Sequence, residues 1–116
     1  MSVANDTIIP NGTISLNVDW ESEPIYVYQI VVLAIQLTFN NSPNGVFTLE
    51  CSNDEFSSST PPQNWTTIKG SAQSINEDGD HTWNFENVGF RWIRVVFTRT
   101  SGSGVLLTAR YNGKGV

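Results

Sequence analysis

The side chains able to do chemistry are few and widely spaced. There is one histidine, His81, and one cysteine, Cys51. A serine–histidine–acid relay needs that histidine beside a serine, with a carboxylate behind it. No G-x-S-x-G turn exists to present a serine. "SGSG" at 101–104 has only a superficial likeness, and its glycines suit a tight turn between strands. One cysteine and one histidine fall short of the three or four ligands of a zinc site. The acidic turn "NEDGD" is the remaining metal candidate, with Glu77, Asp78 and Asp80 close in sequence. Carboxylates of this kind suit calcium. The spacing departs from an EF-hand loop, and Asp-Gly turns also occur as solvated hairpins. The expectation is therefore no catalytic residue and no cofactor.

The elements that must hold these residues are strands. Helical periodicity is absent, while alternation and turn residues run from end to end. The first strand is expected over 13–19, with Ile14, Leu16 and Val18 on one face and Trp20 continuing it. Residues 25–39 would span about 50 Å as a single strand, so a bend near Gln29 should divide them. "NNSPNG" is expected to turn at Asn44-Gly45, and "VFTLECS" follows as a strand containing Cys51. Residues 53–63 form a long polar loop and residues 64–70 a short strand. A strand with Trp83 and Phe85 on one face comes next, then "FRWIRVVFTRT". "TSGSG" reads as a hairpin, and Val105, Leu107, Ala109 and Tyr111 share one side of the return strand. About eight strands in this pattern fit an all-β antiparallel β-sandwich, a jelly roll. Residues 1–12 stand apart as a possible arm. "TIIP" within them could add an edge strand to this sheet or a neighbour's.

Two strands are apolar on both faces. In "FRWIRVVFTRT" the core face should be Ile93, Val95 and Phe97, because side chains alternate along a strand. Trp92, Arg94 and Val96 then face away. In 25–39, inward Leu33, Ile35 and Leu37 leave Ile30 and Val32 outside. Antiparallel sandwiches normally have polar outer faces. Three covers compete: an end segment, Arg94 laid over Trp92, or a second subunit. The last is preferred, which makes Trp92, Arg94, Val96, Ile30 and Val32 the expected interface of a homo-oligomer.

The 116 residues make one domain. No apolar run is long enough for a membrane helix. A net charge of −5, with few arginines and no basic stripe, argues against nucleic acid. The first residues lack a basic start and an apolar signal core, so synthesis and folding in a cytoplasm are expected. A lone cysteine allows no internal disulfide. Cys51 should be a small buried apolar group.

Three stretches line up with a known family. Phe47, Leu49, Ser52 and Asp54 fit a strand of the form F-x-L-x-x-S-x-D. Trp65 and Ile68 fit W-x-x-I, and Arg91, Trp92, Ile93, Arg94 and Val95 fit an R-[YW]-[IV]-R-[VLI] strand. The chain resembles the discoidin, or coagulation-factor type C, jelly roll across residues 30–116. It departs from many secreted members in lacking their terminal cysteine pair. "TRTSGSGVLLTARYNGKG" resembles the ends of small β-sandwich proteins of tailed bacteriophages. These resemblances imply a non-enzymatic virion protein, a capsid decoration or a tail or baseplate accessory, that contacts itself and other virion proteins. The alternative they imply is a carbohydrate-binding module. Its loops at one end would hold a glycan through Asn44, Asp54 and an exposed Phe56, drawn from residues 40–45, 53–63 and 76–81.

Overall fold

A computed structural model describes residues 3–115. Eleven strands run in chain order: β1 (Val3–Thr7), β2 (Ile14–Ser15), β3 (Trp20–Glu21), β4 (Ile25–Tyr26), β5 (Ile30–Asn40), β6 (Pro43–Ser52), β7 (Thr66–Thr67), β8 (Gln73–Ile75), β9 (Gly79–Phe85), β10 (Trp92–Gly102) and β11 (Val105–Gly115). All pairings are antiparallel and form two sheets packed face to face as a sandwich. The first has the order β1-β11-β5-β9, with β2 also on β11. The second has the order β3-β10-β6-β7, with β4 also on β10 and β8 on β6. No helix occurs among the described residues.

The long strands alternate between the sheets. β5, β9 and β11 lie in one, β6 and β10 in the other. No two successive long strands therefore pair, and the expected hairpins are corrected. "TSGSG" carries the chain from β10 across to β11 in the facing sheet, with Gly102 at φ 75°. The turn expected at Asn44-Gly45 falls instead at Asn41 and Ser42, with φ of 64° and 60°. Asn44 and Gly45 are inside β6, opposite Ser101 and Arg99. Gly45 is required there by close approach, since a Cβ would sit 2.7 Å from the Phe97 ring.

The core lies where the alternation of the long strands puts it. Leu33, Ile35, Leu37 and Phe39 of β5 meet Phe47 and Leu49 of β6, and Ile93, Val95 and Phe97 of β10. The Phe47 and Phe97 rings are 4.8 Å apart. The chain bends at Gln29 as its length required, passing from β4 in one sheet to β5 in the other. The continuous strand expected over 13–19 is absent. β2 ends at Ser15, Leu16 is buried, and Val18 is exposed. Leu107 points out, because an irregularity in pairing between Leu106 and Thr108 hands its inward place to Leu106. Within the N-terminal segment, β1 pairs along β11 in its own sheet and Ile8 and Ile9 are buried. Met1 and Ser2 of the expected arm lie outside the described residues.

Breaks in the edge strands are bridged by buried serines. Between β3 and β4, Ser22 donates its N–H to Val95 O (2.8 Å) and accepts the Val95 N–H on Oγ (2.9 Å). Between β7 and β8, Ser71 Oγ accepts the Leu49 N–H (3.1 Å), and Ser71 O accepts the Trp83 indole N–H (2.9 Å). A buried backbone donor thus finds a side-chain partner where the ladder is interrupted.

Candidate functional site

The pairing of Ser52 with Trp92 and of Pro43 with Gly102 fixes two ends of the second sheet. Loop 53–65 leaves at the Trp92 end. Residues 40–45 and 76–80 meet at the other, where Ser42 donates its N–H to Asp78 Oδ1 (2.9 Å). The three candidate loops therefore do not form one site. Asn44, half-buried in β6, is at the far end from Asp54 and Phe56. No group of three His, Cys, Asp or Glu side chains placed to hold a metal occurs among the described residues. Asp78 instead braces the Asn41–Ser42 bend.

At the Trp92 end the loop is tied down by its own carboxylate. Asp54 accepts the backbone N–H groups of Gln63 (2.7 Å) and Asn64 (3.0 Å), and the Asn64 side-chain amide (3.0 Å). These donors, led by the Asn64 amide, hold the Asp54 carboxyl below the ordinary carboxylate range. Asp54 is thus a brace for this loop, with both carboxylate oxygens engaged. Its carbonyl accepts the Trp92 indole N–H (2.9 Å).

That brace presents a cluster of aromatic rings. Trp92 is 8% exposed, with Tyr26 of β4 at 4.6 Å and Phe56 parallel to it at 6.0 Å, the planes 5° apart. Tyr26 also contacts Phe56 (5.3 Å) and Tyr28 (6.0 Å). Tyr26, Tyr28 and Phe56 are 42%, 52% and 62% exposed. The cover over Trp92 is therefore the chain's own, from the long loop and β4, where a second subunit was expected.

Arg94 does not supply the alternative cover over Trp92. It lies over Trp65, 4.2 Å from the ring, rather than over Trp92. Its Nε and Nη2 bond Glu50 at 2.7 and 2.6 Å, and Nη1 meets Glu21 at 3.5 Å. The five expected interface residues do not share a face. Trp92, Arg94 and Val96 belong to the outer side of the second sheet. Val32, 46% exposed, belongs to the outer side of the first, and Ile30 turns inward against the core.

The remaining reactive groups pack within the sheets. His81 is half-buried and meets Trp83 edge-on at 4.6 Å, not exposed as a strand-start residue would be. Cys51 is half-buried, and burial, then the Glu50 charge, pushes its thiol pKa up. This disfavours the reactive thiolate.

Beside the aromatic cluster is a cleft of about 490 Å³ lined by Tyr28, Gln29, Ile30, Val31, Asn53, Val88, Gly89, Phe90 and Arg91. Gln29 has a left-handed φ of 71° in a turn closed by the Ile30 N–H to Val27 O (3.0 Å). The Arg91 guanidinium is over the Tyr28 ring at 5.5 Å and donates to Asn53 O at 3.5 Å. Sequence reasoning missed Tyr26, Tyr28, Gln29 and Arg91 as a group. The available signal was "YVYQ", two alternating tyrosines running into a bend without glycine.

The chain is an all-β antiparallel sandwich with an exposed aromatic cluster at one end. No family model and no curated protein sequence matches it. Solved structures do. The SPBc2 prophage-derived protein YomS superposes with a TM-score of 0.56 at 11% identity, covering 97% of this chain and 92% of that one. A chitosan-binding module of a chitosanase/glucanase from Paenibacillus sp. IK-5 gives 0.52 at 17% identity, covering 98% and 94%. The enzymatically active domain of bacteriophage CBA120 tailspike protein 4 gives 0.58 at 9% identity, covering 97% of this chain but 18% of that one. At these identities the likeness is one of fold. No helix among the described residues is long and apolar enough to cross a membrane.

Proposed function

We propose that this protein is a non-enzymatic recognition and assembly component of a tailed-phage particle, a capsid decoration or a tail or baseplate accessory. The observation that carries this reading is the aromatic end. Three aromatic side chains stay 42–62% exposed while Trp92 and the Asp54 brace hold them from below. Exposed apolar clusters of this kind mark interaction sites. The fold is shared with a prophage-derived protein and with part of a phage tailspike, which supports the setting.

Self-association and contact with other virion proteins belong to the same proposal. Val32 and Val96 are on opposite outer faces, so a contact joining them would be heterologous and would build a ring where its rotation closes, rather than a two-fold dimer. Light scattering after size exclusion tests this. A closed trimer, pentamer or hexamer that falls apart on either Val32→Asp or Val96→Asp is expected. A monomer over a wide concentration range would overturn self-association.

A second reading is a carbohydrate-binding module, and the aromatic end favours it. Exposed ring faces are platforms on which sugar rings stack. The fold shared with a chitosan-binding module supports it. Under this reading Phe56→Ala abolishes glycan binding, whereas a purely assembling protein keeps its native mass and shows no glycan binding to lose.

A further inference from the structure

We infer that the cleft beside the aromatic end takes a carboxylate-bearing sugar residue, with Arg91 as its anchor. The inference rests on the reading of this end as a recognition surface and names its ligand class. Three arginines belong to or adjoin β10, and two are engaged. Arg94 is held by Glu50 and Glu21, and Arg99 donates twice to Gly102 O (2.9 and 2.7 Å). Among the described residues no carboxylate lies within ion-pair distance of Arg91. Its one side-chain hydrogen bond among them is the 3.5 Å contact to Asn53 O. A guanidinium left with free donors in a cleft is suited to a planar carboxylate, which it can grip with two parallel bonds.

The rest of the cleft suits a sugar. Gln29 and Asn53 line it beside the half-exposed Tyr28 ring, with Asn53 Oδ1 accepting the Arg91 backbone N–H (3.1 Å). Side-chain amides pair with sugar hydroxyls. Its volume of about 490 Å³ is within the range of small-ligand sites. Gln29 is held at φ 71°, a conformation that costs a non-glycine residue energy and recurs at ligand sites.

Isothermal titration with an oligogalacturonate and with a neutral galactose oligomer tests this. The expected result is at least tenfold tighter binding of the acidic oligomer. Arg91→Gln should remove that advantage and leave the neutral oligomer unchanged, and Arg91→Lys should restore only part of it. The backbone bonds of Arg91, its N–H to Ser52 O and its C=O from the Val27 N–H, survive these changes, so the variants should stay folded with only a small drop in melting temperature from the lost Tyr28 and Asn53 contacts. Equal binding of both oligomers, or no effect of Arg91→Gln, overturns the inference. Failure of both oligomers to bind at millimolar concentration overturns it as well. So does oligoglutamate binding as tightly as the uronate. Phe56→Ala separates the two levels: weakened neutral-sugar binding on Phe56→Ala with no effect of Arg91→Gln ends the inference but keeps the recognition end.

Discussion

The Phe56 ring lies parallel to the Trp92 indole, 6.0 Å between centroids and 5° between planes, although the two residues come from a polar loop and a central strand. The pair joins two functions. Trp92 is buried and anchors the loop; Phe56 is exposed, as the proposed recognition role requires. Trp92→Ala should therefore cost about 3 kcal/mol, as for a buried aromatic. Phe56→Ala should cost about 1 kcal/mol or less, because most of its surface is already in water. Urea denaturation gives both values. Equal costs would mean that Phe56 serves stability rather than recognition.

Acid should loosen the same loop. The folded-state pKa of Asp54 is depressed by the N–H groups it accepts from Asn64 and Gln63. Its contribution is present above the unfolded carboxyl value of about 3.9 and is lost as pH falls through the lower folded value. The Gln63 and Asn64 amide resonances should stay fixed from neutrality to about pH 4 and move only below it. Asp54→Asn should show the loosened positions at neutral pH. Movement of those amides near pH 6 would exclude Asp54 as the cause.

Ser22 is a small exposed-type residue doing a strand's work. Ser22→Ala leaves the buried Val95 N–H without its 2.9 Å partner. An orphaned buried donor costs about 1–3 kcal/mol. A loss in that range is expected, with faster exchange of the Val95 amide in deuterated solvent. Ser22→Thr, which keeps the hydroxyl, should preserve the amide's protection. A neutral Ser22→Ala would mean that water replaces the hydroxyl.

The inward face of β10 could be read directly, because Ile93, Val95 and Phe97 alternate without interruption and are fully buried. What covered the other face could not. Trp92 is roofed by Tyr26 and Phe56, residues far from it in sequence, and alternation carries no information about a loop folding back. The turns were legible as reversals but not by type. "NNSPNG" and "SGSG" signal reversals, although the first turns at Asn41-Ser42 and not at Asn44-Gly45, and such residues serve a hairpin or a crossing between sheets. The crossing was decided by long-range pairing, β10 with β6 and β11 with β5, which local turn chemistry does not encode. Leu107 was misplaced for a related reason. One irregular step between Leu106 and Thr108 shifts the alternation.

Gln29 separates strain held for binding from simple accommodation. At φ 71° a non-glycine residue pays about 1–2 kcal/mol, while glycine there loses about 0.5–1 kcal/mol through its greater freedom when unfolded. The first term exceeds the second, so Gln29→Gly should stabilise the fold by about 0.5 kcal/mol. It should also weaken oligogalacturonate binding severalfold, since the amide lining the cleft is lost. Gln29→Pro should destabilise strongly, because proline fixes φ near −65°. A urea midpoint that rises while affinity falls is the expected pair of results. A midpoint that falls with affinity would mean that the Gln29 side chain stabilises this end of the sandwich by packing, and the bend would then need no functional reason.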